Sequence, residues 1–228
     1  MVSHKHKCIF IHIPKAAGTS IERAFMDDLG LDMDNRHALI LGENTNKNLG
    51  PRRISHLTAS EYFDLHFVSQ EIYDEYFTFS IVRHPVDRLY SIYKYRTYSD
   101  YITFDRFVKV KLPELIDSKT ESFFYKSQYD YIFCNKYPCV DFIGKLENLN
   151  EDFKIIKDNT GLKSNLKHHN KSKAKQSSIL KKIGKTVKDL DVWSNFSFKH
   201  KKKYLSPVAV DLVKKYYQKD FENFKYKL

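Results

Sequence analysis

Cys8-Ile9-Phe10-Ile11-His12-Ile13-Pro14-Lys15-Ala16-Ala17-Gly18-Thr19-Ser20 is the stretch on which the fold turns. Its first six residues are β-branched, aromatic or otherwise apolar apart from His12, so they read as a buried strand that Pro14 ends. Ile21, Ala24, Phe25 and Leu29 then recur at helical spacing until Gly30, with Thr19 or Ser20 available to cap the helix start. A loop between a buried strand and a helix presents backbone N–H groups and the positive end of the helix dipole to an anion. Gly18 allows close backbone approach and Lys15 adds a charge. The nucleoside-triphosphatase pattern Gly-x-x-x-x-Gly-Lys-Ser/Thr is not met, because Lys15 precedes the loop's glycine and the pattern's first glycine is absent. The plain alternative is a tight turn carrying an incidental Lys and Ser.

Phe77-Thr78-Phe79-Ser80-Ile81-Val82 repeats the strand signature, followed by Arg83-His84-Pro85 and a helical pattern of Val86, Leu89, Tyr90 and Tyr93. Pro85 suits a first helical turn, where its missing donor is not needed. Arg83 at the strand end and Ser91 eight residues later are able to meet on one anion. Arg83 could instead pair with Asp87, and Arg88 reads as a solvated helix charge. Val140 to Gly144 reads as a third buried strand, followed by a helix from Leu149 to Lys157. Thr58-Ala59-Ser60-Glu61 has capping-box spacing just after His56, Thr103 can cap another helix, and Ser206-Pro207 starts a C-terminal one. The alternation predicts an α/β fold, a P-loop-like three-layer domain whose central, mainly parallel sheet is flanked by helices, with ligands at the carboxyl ends of the strands.

The 228 residues fit a single domain. The apolar fraction is a modest 42%, but 17 Phe, 16 Tyr and one Trp supply large contact areas for a core. A formal net charge of +11 favours polyanionic or phosphorylated partners and says nothing about fold. Lysines concentrate between Lys163 and Lys203, and a basic insertion around 173–200 is expected to be exposed and partly mobile. Cys8, Cys134 and Cys139 lack zinc-site spacing and read as reduced thiols of a cytoplasmic chain. No metal site is expected. The polar start and the short apolar run after it predict neither a signal peptide nor a transmembrane segment.

Ile11 to Ser20 resembles the 5′-phosphosulfate loop of the carbohydrate sulfotransferases, the branch that includes the heparan and chondroitin enzymes. Phe79 to Tyr93 resembles that family's 3′-phosphate segment, in which the Arg and the Ser eight residues later bind the adenosine 3′-phosphate. Phe142-Ile143-Gly144-Lys145-Leu146-Glu147-Asn148-Leu149, His169-Asn170-Lys171-Ser172 and the tail from Asp220 to Tyr226 extend the likeness over most of the chain. The resemblance implies transfer of a sulfuryl group from 3′-phosphoadenosine 5′-phosphosulfate (PAPS) to a hydroxyl, without a metal. It places Lys15, Ala16, Ala17, Gly18, Thr19 and Ser20 on the 5′-phosphate and Arg83 and Ser91 on the 3′-phosphate. It adds Lys171 and Ser172 as cofactor contacts. His56, ahead of a helix between the two motifs, matches the family's general base, and Lys15 would stabilise the leaving group; His12, within the strand, reads as structural, and His4, His6, His168 and His200, set among lysines, read as solvated. A carbohydrate or other glycan, neutral or acidic, is the implied acceptor, with residues 32–53 as a loop able to shape its site. Lys145 stands where Arg is common, His84 where Asp or Asn is common, and the basic segment after Ser172 separates motifs that usually lie closer. Two other classes compete with this reading. A nucleotide or small-molecule kinase would leave Arg83 and Ser91 without a role, and a basic nucleic-acid-binding module rests on charge alone. No specific nucleic-acid partner is expected.

Overall fold

The computed structural model describes residues 1–46, 52–118, 120–167 and 203–228. A four-stranded sheet has the order β1 (Val2–Ser3), β2 (Cys8–Ile11), β3 (Phe77–Val82) and β6 (Phe142–Lys145). The short β1 runs antiparallel at the edge, and the other three are parallel with Ile11 opposite Ser80 and Ser80 opposite Ile143. The sheet is therefore mixed, and the loops after β2, β3 and β6 emerge along one edge.

Side chains alternate across the sheet as strand geometry requires. Cys8, Phe10, Phe79 and Ile81 face α1 (Gly18–Leu29) and α9 (Leu149–Thr160), meeting Ile21, Ala24, Phe25, Phe153 and Ile156. Ile9, Ile11 and Val82 face the other layer, where Leu57, Tyr62 of α2 (Ala59–Asp64), Tyr73 of α3 (Gln70–Glu75) and Tyr131 of α8 (Tyr129–Ile132) pack on them. This is the α/β architecture expected, helices covering both faces. A third cluster lies beside the sheet. It joins α4 (Pro85–Tyr95) to α5 (Phe104–Arg106), a π-helical stretch Phe107–Lys111 leading into α6 (Leu112–Ile116), α7 (Ser122–Tyr125) and α10 (Pro207–Asn223). Tyr93, Phe104, Phe107, Val213 and Tyr217 are buried there, which is how the aromatic-rich composition is used.

Caps follow the sequence at several points. The Thr58 side chain accepts from the Glu61 N–H while Glu61 accepts from the Thr58 N–H, a complete capping box. Thr103 caps α5, and Gly30 and Gly161 end α1 and α9 with φ of 64° and 66°.

Four expectations are corrected. Neither Thr19 nor Ser20 caps α1; the N-cap is Ala17, held at φ 66° without a side-chain bond. Cys134 and Cys139 are joined in a disulfide across the hairpin of β4 (Phe133–Cys134) and β5 (Tyr137–Pro138), so only Cys8 is free, buried in β2 with its thiol pushed up to about 12 by desolvation. His6 is not solvated: it is 6% exposed, with Ser3 on Nδ1 and Asp28 on Nε2. Arg88, read as a solvated charge, is 1% exposed and among the largest fully buried side chains. His168, Lys171, Ser172 and the basic segment around 173–200 lie outside the described residues.

Candidate active site at the strand ends

Ile13-Pro14-Lys15-Ala16-Ala17 turns from β2 into α1. Lys15 and Ala17 both adopt left-handed backbone, φ 68° and 66°, a conformation that costs a non-glycine residue about 1–2 kcal/mol. The Ala16 N–H turns back onto the Ile13 carbonyl at 3.3 Å, and the Ser20 N–H donates to the Ala17 carbonyl at 2.9 Å. The Ala17, Gly18 and Thr19 N–H groups stand at the helix start, where an α-helix has no carbonyl to offer them. Thr19 is exposed and Ser20 half-buried in the first turn of α1.

Gly18 is required for a reason the sequence did not reveal. A Cβ built there would lie 1.9 Å from His12 Cδ2, because the His12 ring fills the space above the helix start. His12 follows β2 directly, with Nδ1 2.5 Å from Glu22 Oε1.

Lys15 and Arg83, from the ends of neighbouring parallel strands, come together: Arg83 donates from Nη1 to the Lys15 carbonyl at 3.4 Å. Desolvation, and then the neighbouring Arg83 charge, hold the Lys15 ammonium below its usual pKa, and its Nζ lies 4.2 Å from the centroid of the Tyr95 ring. Desolvation also lowers Arg83. Lys15 and Arg83 are both partly buried and close enough for one charge to act on the other, a local field that an anion would relieve. Ser91 lies half-buried on α4, in the same strand-to-helix unit as Arg83, with no hydrogen bond between the two.

His56 ends a 3₁₀ turn, Ile54–His56, immediately before the capping box of α2. Its Nδ1 is 3.0 Å from the His12 carbonyl oxygen. A carbonyl only accepts, so Nδ1 carries the proton and Nε2 keeps its lone pair. The ring meets His12 edge-on at 4.4 Å and lies against Phe123 and Phe124. Burial first, then the proximity of His12 and Arg53, lower its pKa from 6.5 to about 2, against a smaller upward pull from the His12 carbonyl.

Arg88, Gln128 and Asp220 hold these parts together. Arg88 donates from Nε to the Pro14 carbonyl and from its two terminal nitrogens to the Lys126 and Phe124 carbonyls, each at 3.0 Å. Gln128 accepts from the Arg83 N–H at 2.9 Å and donates to the Arg83 carbonyl at 2.8 Å, in the manner of a strand neighbour. Asp220 of α10 accepts from the Gln128 and Tyr129 N–H groups, and its carboxyl is raised by desolvation, with Arg88 pulling the other way. Asp220 begins the tail segment quoted above, but nothing in its spacing marks it as a buried anchor.

Beside the loop, a cavity of about 120 Å³ is lined by four residues of α1, among them Thr19, Glu22 and Arg23, by five residues between Met33 and Glu43, and by Arg53 and Ser55. The segment read as a wall of an acceptor site thus borders a cavity one residue from His56. The described residues contain no cluster of His, Cys, Asp and Glu able to hold a metal ion.

A family model described as "Sulfotransferase family" matches residues 1–227. The chain belongs to the sulfotransferase family. No curated protein and no solved structure matches it. Membership along nearly the whole chain makes this a sulfotransferase enzyme, with the mixed α/β sheet consistent with that fold. No described helix of this sulfotransferase is long and apolar enough to cross a membrane.

Proposed function

We propose that this sulfotransferase moves a sulfuryl group from PAPS to a hydroxyl of a carbohydrate, with His56 as general base. The observation that carries the reading is the meeting of Lys15, Arg83 and the α1 N-terminus on adjacent strand ends, a donor set matched to a nucleotide phosphorylated at two positions. When bound, PAPS supplies a sulfuryl group already activated on a phosphate leaving group. The Ala17, Gly18 and Thr19 N–H groups with the Thr19 and Ser20 hydroxyls would hold the 5′-phosphate side. Arg83 and Ser91 would hold the 3′-phosphate, and Lys15 would meet negative charge as it develops on the leaving oxygen. His56, neutral and with Nδ1–H committed to the His12 carbonyl, would take the acceptor proton at Nε2. Its low basicity keeps it unprotonated at neutral pH, and the negative charge gathered beside it during transfer would raise it.

The cavity that Ser55, the residue before His56, helps to line suits an acidic sugar. Its two carboxylates are already engaged, Glu22 with His12 and Glu43 with Arg52, while Arg23, Arg36 and Arg53 enter no ion pair among the described residues. A uronate or sulfate on the acceptor would complement them.

The test is thermal unfolding with adenosine 3′,5′-bisphosphate, ATP–Mg²⁺ and a DNA oligomer in parallel. A ligand at 100 times its Kd adds about 2.7 kcal/mol, or roughly 5–10 °C for a chain of this size. Stabilisation by the bisphosphate alone is expected. Stabilisation by ATP–Mg²⁺ alone would return the chain to the kinase reading.

A further inference from the structure

His12 and Glu22 have no part in the reaction as drawn above, yet they lie between its two halves. Glu22 is on α1, four residues after Gly18, and its Oε1 is 2.5 Å from His12 Nδ1 with the carboxylate 14% exposed and the imidazole 8%. The contact fixes the plane of the His12 ring. That ring leaves no room for a side chain at Gly18 and stands edge-on to His56 at 4.4 Å. The His12 carbonyl accepts the hydrogen bond from His56 Nδ1–H. One residue therefore fixes the tautomer of His56 with its carbonyl, walls the ring with its side chain, and is itself held by the helix whose start forms the anion cradle.

We propose that Glu22 and His12 are a positioning pair for His56, joining the phosphate-binding helix to the base so that the acceptor hydroxyl meets Nε2 and not a rotated ring. This rests on the general-base role of His56. The hydrogen bond does the positioning: Glu22 supplies an acceptor at a fixed point on α1, and the His12 ring transmits that position to His56. A neutral side chain of the same shape that still accepts from Nδ1–H would do as well. Because Glu22 also lines the cavity beside α1, a direct contact with the acceptor is the competing role, and it would act on acceptor binding.

The experiment compares Glu22→Ala with Glu22→Gln in steady-state turnover and in ¹⁵N NMR of the His56 ring. The melting temperature of each variant is recorded so that rates refer to folded enzyme. Glu22→Ala should lower kcat about tenfold or more, since small misplacement of a reacting group is costly. It should leave the KM for acceptor and the Kd for adenosine 3′,5′-bisphosphate within about threefold, and average the His56 ring nitrogens between tautomers. Glu22→Gln should recover most of kcat and the single tautomer. A kcat within twofold of the parent in Glu22→Ala overturns the proposal, as does a rise in acceptor KM at unchanged kcat, or a Glu22→Gln as impaired as Glu22→Ala. His56→Ala is assayed alongside. If it keeps full activity the base assignment fails, whereas the NMR comparison still reports whether Glu22 and His12 set the His56 ring.

Discussion

Replacing Arg88 by Met keeps most of the side-chain volume and removes the guanidinium, so it isolates the polar work of a residue whose sequence context suggested an exposed charge. Three carbonyls, of Pro14, Phe124 and Lys126, lose donors at 3.0 Å. Hydrogen bonds to a charged group contribute about 1.5–3 kcal/mol each, but the guanidinium's own desolvation cost disappears with it. Asp220 also loses the nearby positive charge that favours its ionised form. Breaking a buried ionic arrangement by removing one partner costs about 3–5 kcal/mol, and that is the expected loss. Urea unfolding should show it as a lower midpoint at unchanged slope, and thermal unfolding as a drop on the order of 10 °C. Arg88→Lys should fall between, because an ammonium cannot span three carbonyls as a planar fork does. The variant should also bind adenosine 3′,5′-bisphosphate more weakly, since the Pro14 carbonyl sits at the base of the loop that bears Lys15. A loss below about 1 kcal/mol would refute the reasoning and restore Arg88 to the surface.

Lys15→Ala should lower turnover by orders of magnitude and leave the melting temperature unchanged or slightly higher, since a desolvated ammonium beside Arg83 is removed; a clear loss of stability in calorimetry would contradict this. Gly18→Ala places a methyl group into the His12 ring that Glu22 holds in place, so it should cost about 1–3 kcal/mol in denaturant unfolding and disturb His56 as well. Arg83→Ala should weaken the bisphosphate by about 2 kcal/mol, roughly thirtyfold by calorimetric titration, with the fold intact. His56 is held near 2 in the folded chain against 6.5 unfolded, so its contribution to stability is whole above pH 6.5 and drains as the pH falls below it, by up to about 1.4 kcal/mol per pH unit. His56→Gln should flatten that part of the stability curve, and the parent's kcat/KM should show no acid limb centred near pH 6.5.

The strands and the phosphate-type loop were legible because their signals are local. Cys8 to Ile13 and Phe77 to Val82 are short apolar runs ended by loop residues, and Thr58 with Glu61 announces a helix start by spacing alone. Lys15 and Arg83 were nameable for the same reason, each lying next to its strand. What stayed hidden depends on contacts far apart in sequence. Arg88 pairs with carbonyls 36 to 74 residues away, and Asp220 meets Gln128 across 92 positions. Neither partner set leaves a periodic trace. His12 reads in the sequence as a structural strand residue, whereas its ring and carbonyl fill the gap between Gly18 and His56. The α1 cap departs from the expected one because Ser and Thr usually lead at that position, whereas here a left-handed Ala17 takes it without a side-chain bond. The Cys134–Cys139 bridge escaped because two cysteines five apart become neighbours only through the hairpin between them.

Transfer of labelled sulfate from PAPS to an acidic polysaccharide, measured side by side for the parent chain, Lys15→Ala and His56→Ala, tests the central claim most directly. Label should appear in the polysaccharide with the parent and fall by orders of magnitude with either variant, each still folded by its melting curve. Label incorporated equally well by His56→Ala, or no transfer from PAPS to any hydroxyl acceptor by a folded parent chain, would contradict it.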